Sequence, residues 1–309
     1  MIDQIRHIGL LLMAGFTLFV ANAQQKTIIS QYMFNQLPLN PAVAGSHGQF
    51  SATFSYRDQW VNFEGAPQTS IFSVHTGITD TKVGLGLLVS VDEIGIHKDL
   101  GVYASYSYHI TFPIGTLFMG LQGGFNKLTS DFTLLNLRTA SDPLLSGFVS
   151  NINPNFGAGA YLVNEKWIAG FSAPFLLSNK IVDAETAFSE AKEARNYYLY
   201  LERTFTINDA IRLRPSTLIH LQEGAPFSFD LTATVIIKEL VSFGVSRRNN
   251  DAIITLFELK ISERLHLGYA YDWTTSDLNQ FSSGSHEIML NYRFKVKGLH
   301  KDLLCPAYF

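Results

Sequence analysis

From residue 49 onward the chain alternates between apolar and polar residues with a period of two. Phe50, Ala52, Phe54 and Tyr56 alternate with Ser51, Thr53, Ser55 and Arg57. Leu265, Leu267, Tyr269, Tyr271 and Trp273 alternate with His266, Gly268, Ala270 and Asp272, and Ile288, Leu290, Tyr292 and Phe294 with Glu287, Met289, Asn291 and Arg293. Successive side chains of a strand point to opposite faces, so each run predicts a strand with one apolar and one mostly polar face. Such segments fall near 49–57, 68–77, 82–92, 100–111, 115–126, 153–163, 166–174, 195–206, 210–221, 226–237, 239–247, 251–260, 264–273 and 285–294. Most match the roughly 9–11 residues that a tilted strand needs to cross a bilayer. Strands of soluble sandwiches are usually nearer five or six.

Alternation alone fits a soluble sandwich, whose apolar face meets a second sheet, or a membrane barrel, whose apolar face meets lipid. The connections separate the two. If the first strand rises from the periplasm, the inner-side connections at 77–81, 112–115, 164–166, 206–210, 238–239 and 261–263 are all tight. The opposite side carries 58–67, 92–99, 127–152, 175–194 and 274–284, with short exceptions near 222–225 and 248–250. Short periplasmic turns and long outer loops characterise outer-membrane barrels. The expected fold is therefore all-β, an antiparallel transmembrane outer-membrane β-barrel of about 14 strands, within 12–16.

Secondary signals agree. Trp60, Trp167, Phe171, Phe205, Tyr271, Trp273 and Phe294 are placed near strand ends, where aromatic girdles meet the membrane interface. Gly84, Gly86, Gly123, Gly124, Gly157 and Gly159 fall inside strands and suit bends or close backbone approach. Pro215 opposes the scheme, because a mid-strand proline removes a ladder bond; the sequence implies a late strand start or a bulge there.

Ahead of the alternating region, Arg6 and His7 precede an apolar run from Ile8 to Val20 and then Ala21-Asn22-Ala23. That order reads as a secretory signal peptide over residues 1–23. Residues 24–48 then form an N-terminal periplasmic segment or plug, 49–297 the barrel and 298–309 a C-terminal extension. Helix formers at 183–192 suggest a short helix in the 175–194 loop.

The chemistry is sparse. Charged residues are 16% of the chain and the net charge is −3, so nucleic acid is not an expected partner. The lone Cys305 excludes an internal disulfide and a cysteine-rich zinc site. No G-x-S-x-G elbow, H-E-x-x-H pair, calcium loop or dinucleotide fingerprint occurs, so catalytic, metal and cofactor residues are expected to be none. His75, His109, His220 and His266 lie on strands beside serines such as Ser73 and Ser107, which keeps a barrel lipase as an outside reading. Arg212/Arg214 and Arg247-Arg248 are assigned to the lumen or to strand ends.

The most distinctive residues flank the first strand. Gln31-Tyr32-Met33-Phe34-Asn35 is followed by Asn40-Pro41-Ala42-Val43-Ala44-Gly45, then by Tyr56-Arg57-Asp58-Gln59-Trp60 and Gly65-Ala66-Pro67. These four pieces, in this order, resemble the PorP/SprF family of type IX secretion system membrane proteins. The resemblance implies an outer-membrane protein of a Gram-negative, Bacteroidota-type bacterium. It would work with the type IX machinery in secreting or surface-anchoring a partner protein, gliding adhesins included.

The sequence reading is thus a non-enzymatic outer-membrane component that assists secretion or surface anchoring, with outer-membrane lipid and type IX components as partners. The alternative is a channel or transporter for small solutes or lipids. Candidate plug or partner contacts are Gln31, Tyr32, Phe34, Asn35, Asn40, Pro41, Gly45, Arg57, Gln59 and Trp60, because aromatics and arginine are the usual anchors of interfaces. As a set, Gln31 to Gly45 is the principal candidate.

Overall fold

The computed structural model describes residues 29–78, 81–134, 147–179 and 192–296. The expected signal peptide, most of the expected helix at 183–192 and the expected C-terminal extension with Cys305 lie outside the described residues.

Fourteen antiparallel strands occur among the described residues. They are β1 (Phe50–Asp58), β2 (Gln68–Ile78), β3 (Val83–Ile94), β4 (His97–Phe112), β5 (Gly115–Asp131), β6 (Phe148–Val163) and β7 (Trp167–Phe175). Next come β8 (Asn196–Arg203, continued as Phe205–Asn208), β9 (Ile211–Gln222), β10 (Ser228–Ile237), β11 (Val241–Arg248), β12 (Ala252–Lys260), β13 (Leu265–Thr274) and β14 (Ser285–Phe294). Each strand pairs with its neighbours in sequence, and β14 returns to β1 in the register Phe50↔Phe294 to Asp58↔His286. The sheet is a closed barrel with no free edge, so its backbone donors and acceptors are satisfied between strands, as a bilayer demands.

The alternation sorts as the sequence implies. On β1, Ser51, Thr53, Ser55 and Arg57 point inward and are buried, while Phe54 and Tyr56 point outward. The outer surface carries Leu121 at 63% and Ile288 at 51% exposure, part of a continuous apolar band that would be untenable in water. Trp167 opens β7 and Trp273 lies near the end of β13, at opposite rims, whereas Phe171 sits in the middle of its strand.

One end has tight turns at 79–82, 113–114, 164–166, 209–210, 238–240 and 261–264. The other carries 59–67, 132–147, 176–195 and 275–284, together with the short 223–227 and 249–251. The loop expected at 92–99 is instead a two-residue hairpin, Gly95-Ile96, because β3 and β4 extend to meet it. Its charged residues pair across that hairpin, Lys98 Nζ lying 2.5 Å from Glu93 Oε1. Above the bilayer no apolar face is required, so the ladder continues through polar residues that read as loop.

Pro215 neither delays its strand nor shifts its register. It faces Ala233 on β10, and the ladder to β8 resumes on either side of it, at Ser216↔Glu202 and Leu213↔Phe205. The lost bond is confined to the β8 side, where β8 is interrupted at Thr204. Register shifts occur on either side of this region, between Ile211 and Arg212 at the start of β9, three residues before Pro215, and on β7 between Ser172 and Phe175.

Candidate functional site

A barrel of polar inward faces needs something to satisfy them. Here residues 29–46 occupy the lumen, forming a thread whose residues are all buried except the half-buried Pro38. Tyr32 is 0% exposed, and Gln31, Phe34, Asn35, Asn40, Pro41 and Gly45 are likewise buried.

The thread runs from the loop end of the barrel to the tight-turn end. Ser30 contacts Asp272, third from the end of β13, and Glu287, third from the start of β14. Tyr32 Oη lies 3.1 Å from Thr232 Oγ1, and its ring meets Tyr200 edge-on at 5.9 Å between centroids. Midway down, Asn35 Oδ1 accepts from Ser73 Oγ at 2.9 Å and Leu39 O from Ser172 Oγ at 2.6 Å. Asn40 donates from Nδ2 to Ala160 O at 3.0 Å, while its Oδ1 accepts from Ala42 N and so caps the one-turn helix Pro41–Val43. Proline at its first position costs nothing, since that N–H has no partner inside a helix. At the far end Ala44 O accepts from Ser107 Oγ at 2.5 Å, and Gly45 N donates to His75 Nδ1 at 3.2 Å.

Wall glycines make the close seating possible. A Cβ on Gly84 would lie 2.1 Å from Ala44 O, one on Gly120 2.2 Å from Ala42 N, and one on Gly159 2.1 Å from Asn40 Oδ1. Gly45 adopts φ +78 and itself lies against Gly84 and Gly77, so it needs both the left-handed backbone and the missing side chain. Of the glycines singled out in the sequence, Gly84, Gly86 and Gly159 face the thread. Gly124 instead abuts Tyr103, Gly157 makes room for Pro174, and an added Cβ on Gly123 would meet only the Phe156 ring.

The upper end of the thread is held by charge. Arg57 Nη1 donates to Ser30 Oγ at 2.7 Å and to Glu287 Oε2 at 3.2 Å, and Nη2 lies 2.6 Å from Asp272 Oδ2. Ser30 Oγ passes the chain on by donating to Asp272 Oδ2 at 2.8 Å. Arg248 extends the network, with Nη1 3.7 Å from Asp272 and Nη2 2.8 Å from Asp230. Two guanidinium groups thus face three carboxylates, Asp230, Asp272 and Glu287. The surplus negative charge is met by the thread, whose Ser30 and Gln31 N–H groups donate to the two Glu287 oxygens at 2.7 and 3.0 Å. Charge-assisted bonds of this kind are about twice as strong as neutral ones. A buried carboxylate stripped of its partners is correspondingly expensive.

The structure therefore brings Gln31, Tyr32, Phe34, Asn35, Asn40, Pro41, Gly45 and Arg57 into one lumenal assembly. Gln59 and Trp60 stand apart, half-buried at the loop rim. There Trp60 adopts φ +51 and its N–H donates to Ser285 Oγ at 3.1 Å. Val61 N donates to Gly284 O and Ser283 N to Val61 O, both at 2.9 Å, so the 59–67 and 275–284 loops are tied above the β1–β14 seam.

Sequence reasoning did not single out Ser30, Asp230, Asp272 and Glu287. Their only signal was position, since each acid replaces an uncharged residue on the inward face of an alternating strand. Arg214 and Arg248 prove to be inside the barrel, while Arg212 pairs with Glu239 at the tight-turn end. The two serines on which a hydrolase reading rested, Ser73 and Ser107, both donate to the thread.

This architecture defines a class: an outer-membrane β-barrel whose polar lumen is filled by its own N-terminal segment. Residues 21–292 match the family of type IX secretion system membrane proteins PorP/SprF, and the chain belongs to that family. It is accordingly a protein of the bacterial outer membrane. No curated protein matches it. Among solved structures it is similar to the CymD monoaromatic hydrocarbon channel, at 11% identity over 88% of this chain and 94% of that one, with a TM-score of 0.51. It is also similar to the outer membrane protein Omp33 of Acinetobacter baumannii, at 8% identity over 80% and 98% of the two chains, with a TM-score of 0.44. The KdgM porin follows at 8% identity over 79% and 99%, with a TM-score of 0.37. At these identities the CymD likeness speaks to fold alone.

Proposed function

We propose that this barrel is a non-enzymatic component of type IX secretion that assists the secretion or surface anchoring of a partner protein, a gliding adhesin being one candidate, rather than a conduit for small solutes. The observation that carries the reading is the filled lumen. A diffusion channel works through a continuous aqueous path, and here the inward faces of the strands are spent on holding residues 29–46. What such a barrel offers a protein partner is its rims. In this reading the thread residues from Gln31 to Gly45 are a plug that fixes the barrel's shape, and partner contact falls to the outer rim around Gln59 and Trp60.

The test is deletion of the gene followed by surface display of each type IX cargo, read by whole-cell immunolabelling and by mass spectrometry of the medium. One cargo or a small set should be lost from the surface or shed. Unchanged display of every cargo in the deletion strain would overturn the reading.

A further inference from the structure

A segment that fills a barrel can enter from either mouth, and which one decides where its free end lies. A simple periplasmic plug would have its N-terminal end at the tight-turn rim, next to the start of β1. This thread does the opposite. Its C-terminal end is at the tight-turn rim, where Gly45 lies against Gly77 and Gly84 and the chain passes through Gly48 into Phe50. Its N-terminal end is at the loop rim. Ser30 bonds to side chains that are third from the rim on β13 and β14 and to Arg57, the penultimate residue of β1. Two residues of strand span about 7 Å, so the thread's first anchor lies roughly that far below the strand ends.

Contacts between these limits descend in order around the wall. Tyr32 meets Thr232, Asn35 meets Ser73, Asn40 meets Ala160, which is three residues from the tight-turn end of β6, and Ala44 meets Ser107 and Gly84. The thread is a single pass from one mouth to the other, with no return. Its upper end is also the best-held part, because the surplus carboxylate of the rim cluster is satisfied by the Ser30 and Gln31 N–H groups.

We infer that the thread enters the barrel from the outer mouth, so that its N-terminal end, at Ile29 and Ser30, faces the cell exterior beside the 59–67 loop. Any group joined to it would then be presented outside the cell. The grip on the thread and the closing seam share residues, because Arg57 and Glu287, which hold the thread, are cross-strand partners on that seam. The inference rests on the orientation that puts the tight turns in the periplasm, and the experiment tests the two separately.

Single cysteines are introduced in a Cys305→Ser background, which leaves each as the only thiol in the chain. Thr27→Cys reports the end in question, Glu64→Cys the loop rim and Glu165→Cys the tight-turn rim; the last two positions are exposed. Intact cells are treated with a membrane-impermeant maleimide, before or after outer-membrane permeabilisation, and heat-modifiable migration verifies that each barrel is folded. The inference expects Thr27→Cys and Glu64→Cys to label in intact cells and Glu165→Cys only after permeabilisation. Thr27→Cys labelling only with Glu165→Cys, or in neither condition, would overturn it while leaving the orientation intact. Glu165→Cys labelling in intact cells and Glu64→Cys failing to do so would overturn the orientation and the inference with it. A short epitope inserted between Lys26 and Thr27 and probed with antibody on whole cells gives the same decision without thiol chemistry.

Discussion

Arg57 on the first strand and Glu287 on the last are direct cross-strand partners, and Ser30 of the lumenal thread sits between them, accepting from Arg57 Nη1 at 2.7 Å and donating from its main-chain N–H to Glu287 Oε2 at 2.7 Å. Barrel closure and thread seating are therefore coupled, since the residues that pair across the seam also hold the segment inside it.

Breaking that unit should weaken both. Arg57→Gln leaves Asp272 and Glu287 buried without their closest cation, and removing one partner of a buried pair costs about 3–5 kcal/mol. The heat-modifiable transition in detergent should move to lower temperature. Combining Arg57→Gln with Glu287→Gln should restore part of the loss, because the uncompensated charge is gone; contacting residues couple by about 0.5–3 kcal/mol. Simple additivity of the two single effects would count against the shared network.

The glycine seats make a steric prediction. In Gly120→Ala the new methyl would lie 2.2 Å from Ala42 N, a backbone atom that cannot swing aside. Overpacking of this kind costs about 1–3 kcal/mol, and the thread should become more accessible to protease. Gly123→Ala, whose methyl would meet only Phe156 ring atoms at 3.3 Å, is the matched control and should behave as wild type.

How much of this was legible in the sequence varies with the physics. The strands were, because lipid outside and polar groups inside impose alternation on every crossing. The seating glycines were visible as anomalies, since glycine weakens a strand unless something approaches closely. The outer extensions of β3 to β6 were not: above the bilayer the apolar face lapses, and Glu93, His97, Lys98 and Asp99 looked like loop. Nor were the partners of Arg57, which lie 215 and 230 residues away and depend on the closing register. A one-residue slip of β14 would have turned Glu287 to the lipid.

Histidine chemistry at the lower end of the thread gives a pH dependence. Burial, and then the neighbouring His75 on β2, Arg293 on β14 and His266 on β13, hold His47 well below the ordinary 6.5. A released thread binds that proton near the ordinary value and the seated thread does not. The stabilisation from seating is thus fully present above about pH 6.5 and declines as pH falls below it. The heat transition should drop on acidification from about pH 7.5 to 5, and His47→Gln should make the dependence shallower. An unchanged slope in that variant would remove His47 from the account.

Trp60 separates rim from lumen. Its main-chain N–H is bonded to Ser285 Oγ at the start of β14, a contact that the indole does not make, so Trp60→Ala should leave the heat transition unchanged while reducing surface display of the affected cargo. Equal loss of both would mean that the indole supports the fold instead.

The most direct measurement of the account is the conductance of the purified barrel in planar lipid bilayers. With residues 29–46 seated, the wild-type protein should insert without stepwise ion conductance, and a variant in which Arg57→Gln and Gly120→Ala are combined should show openings. Steady conductance by the folded wild-type barrel would contradict a filled lumen and return the protein to the channels.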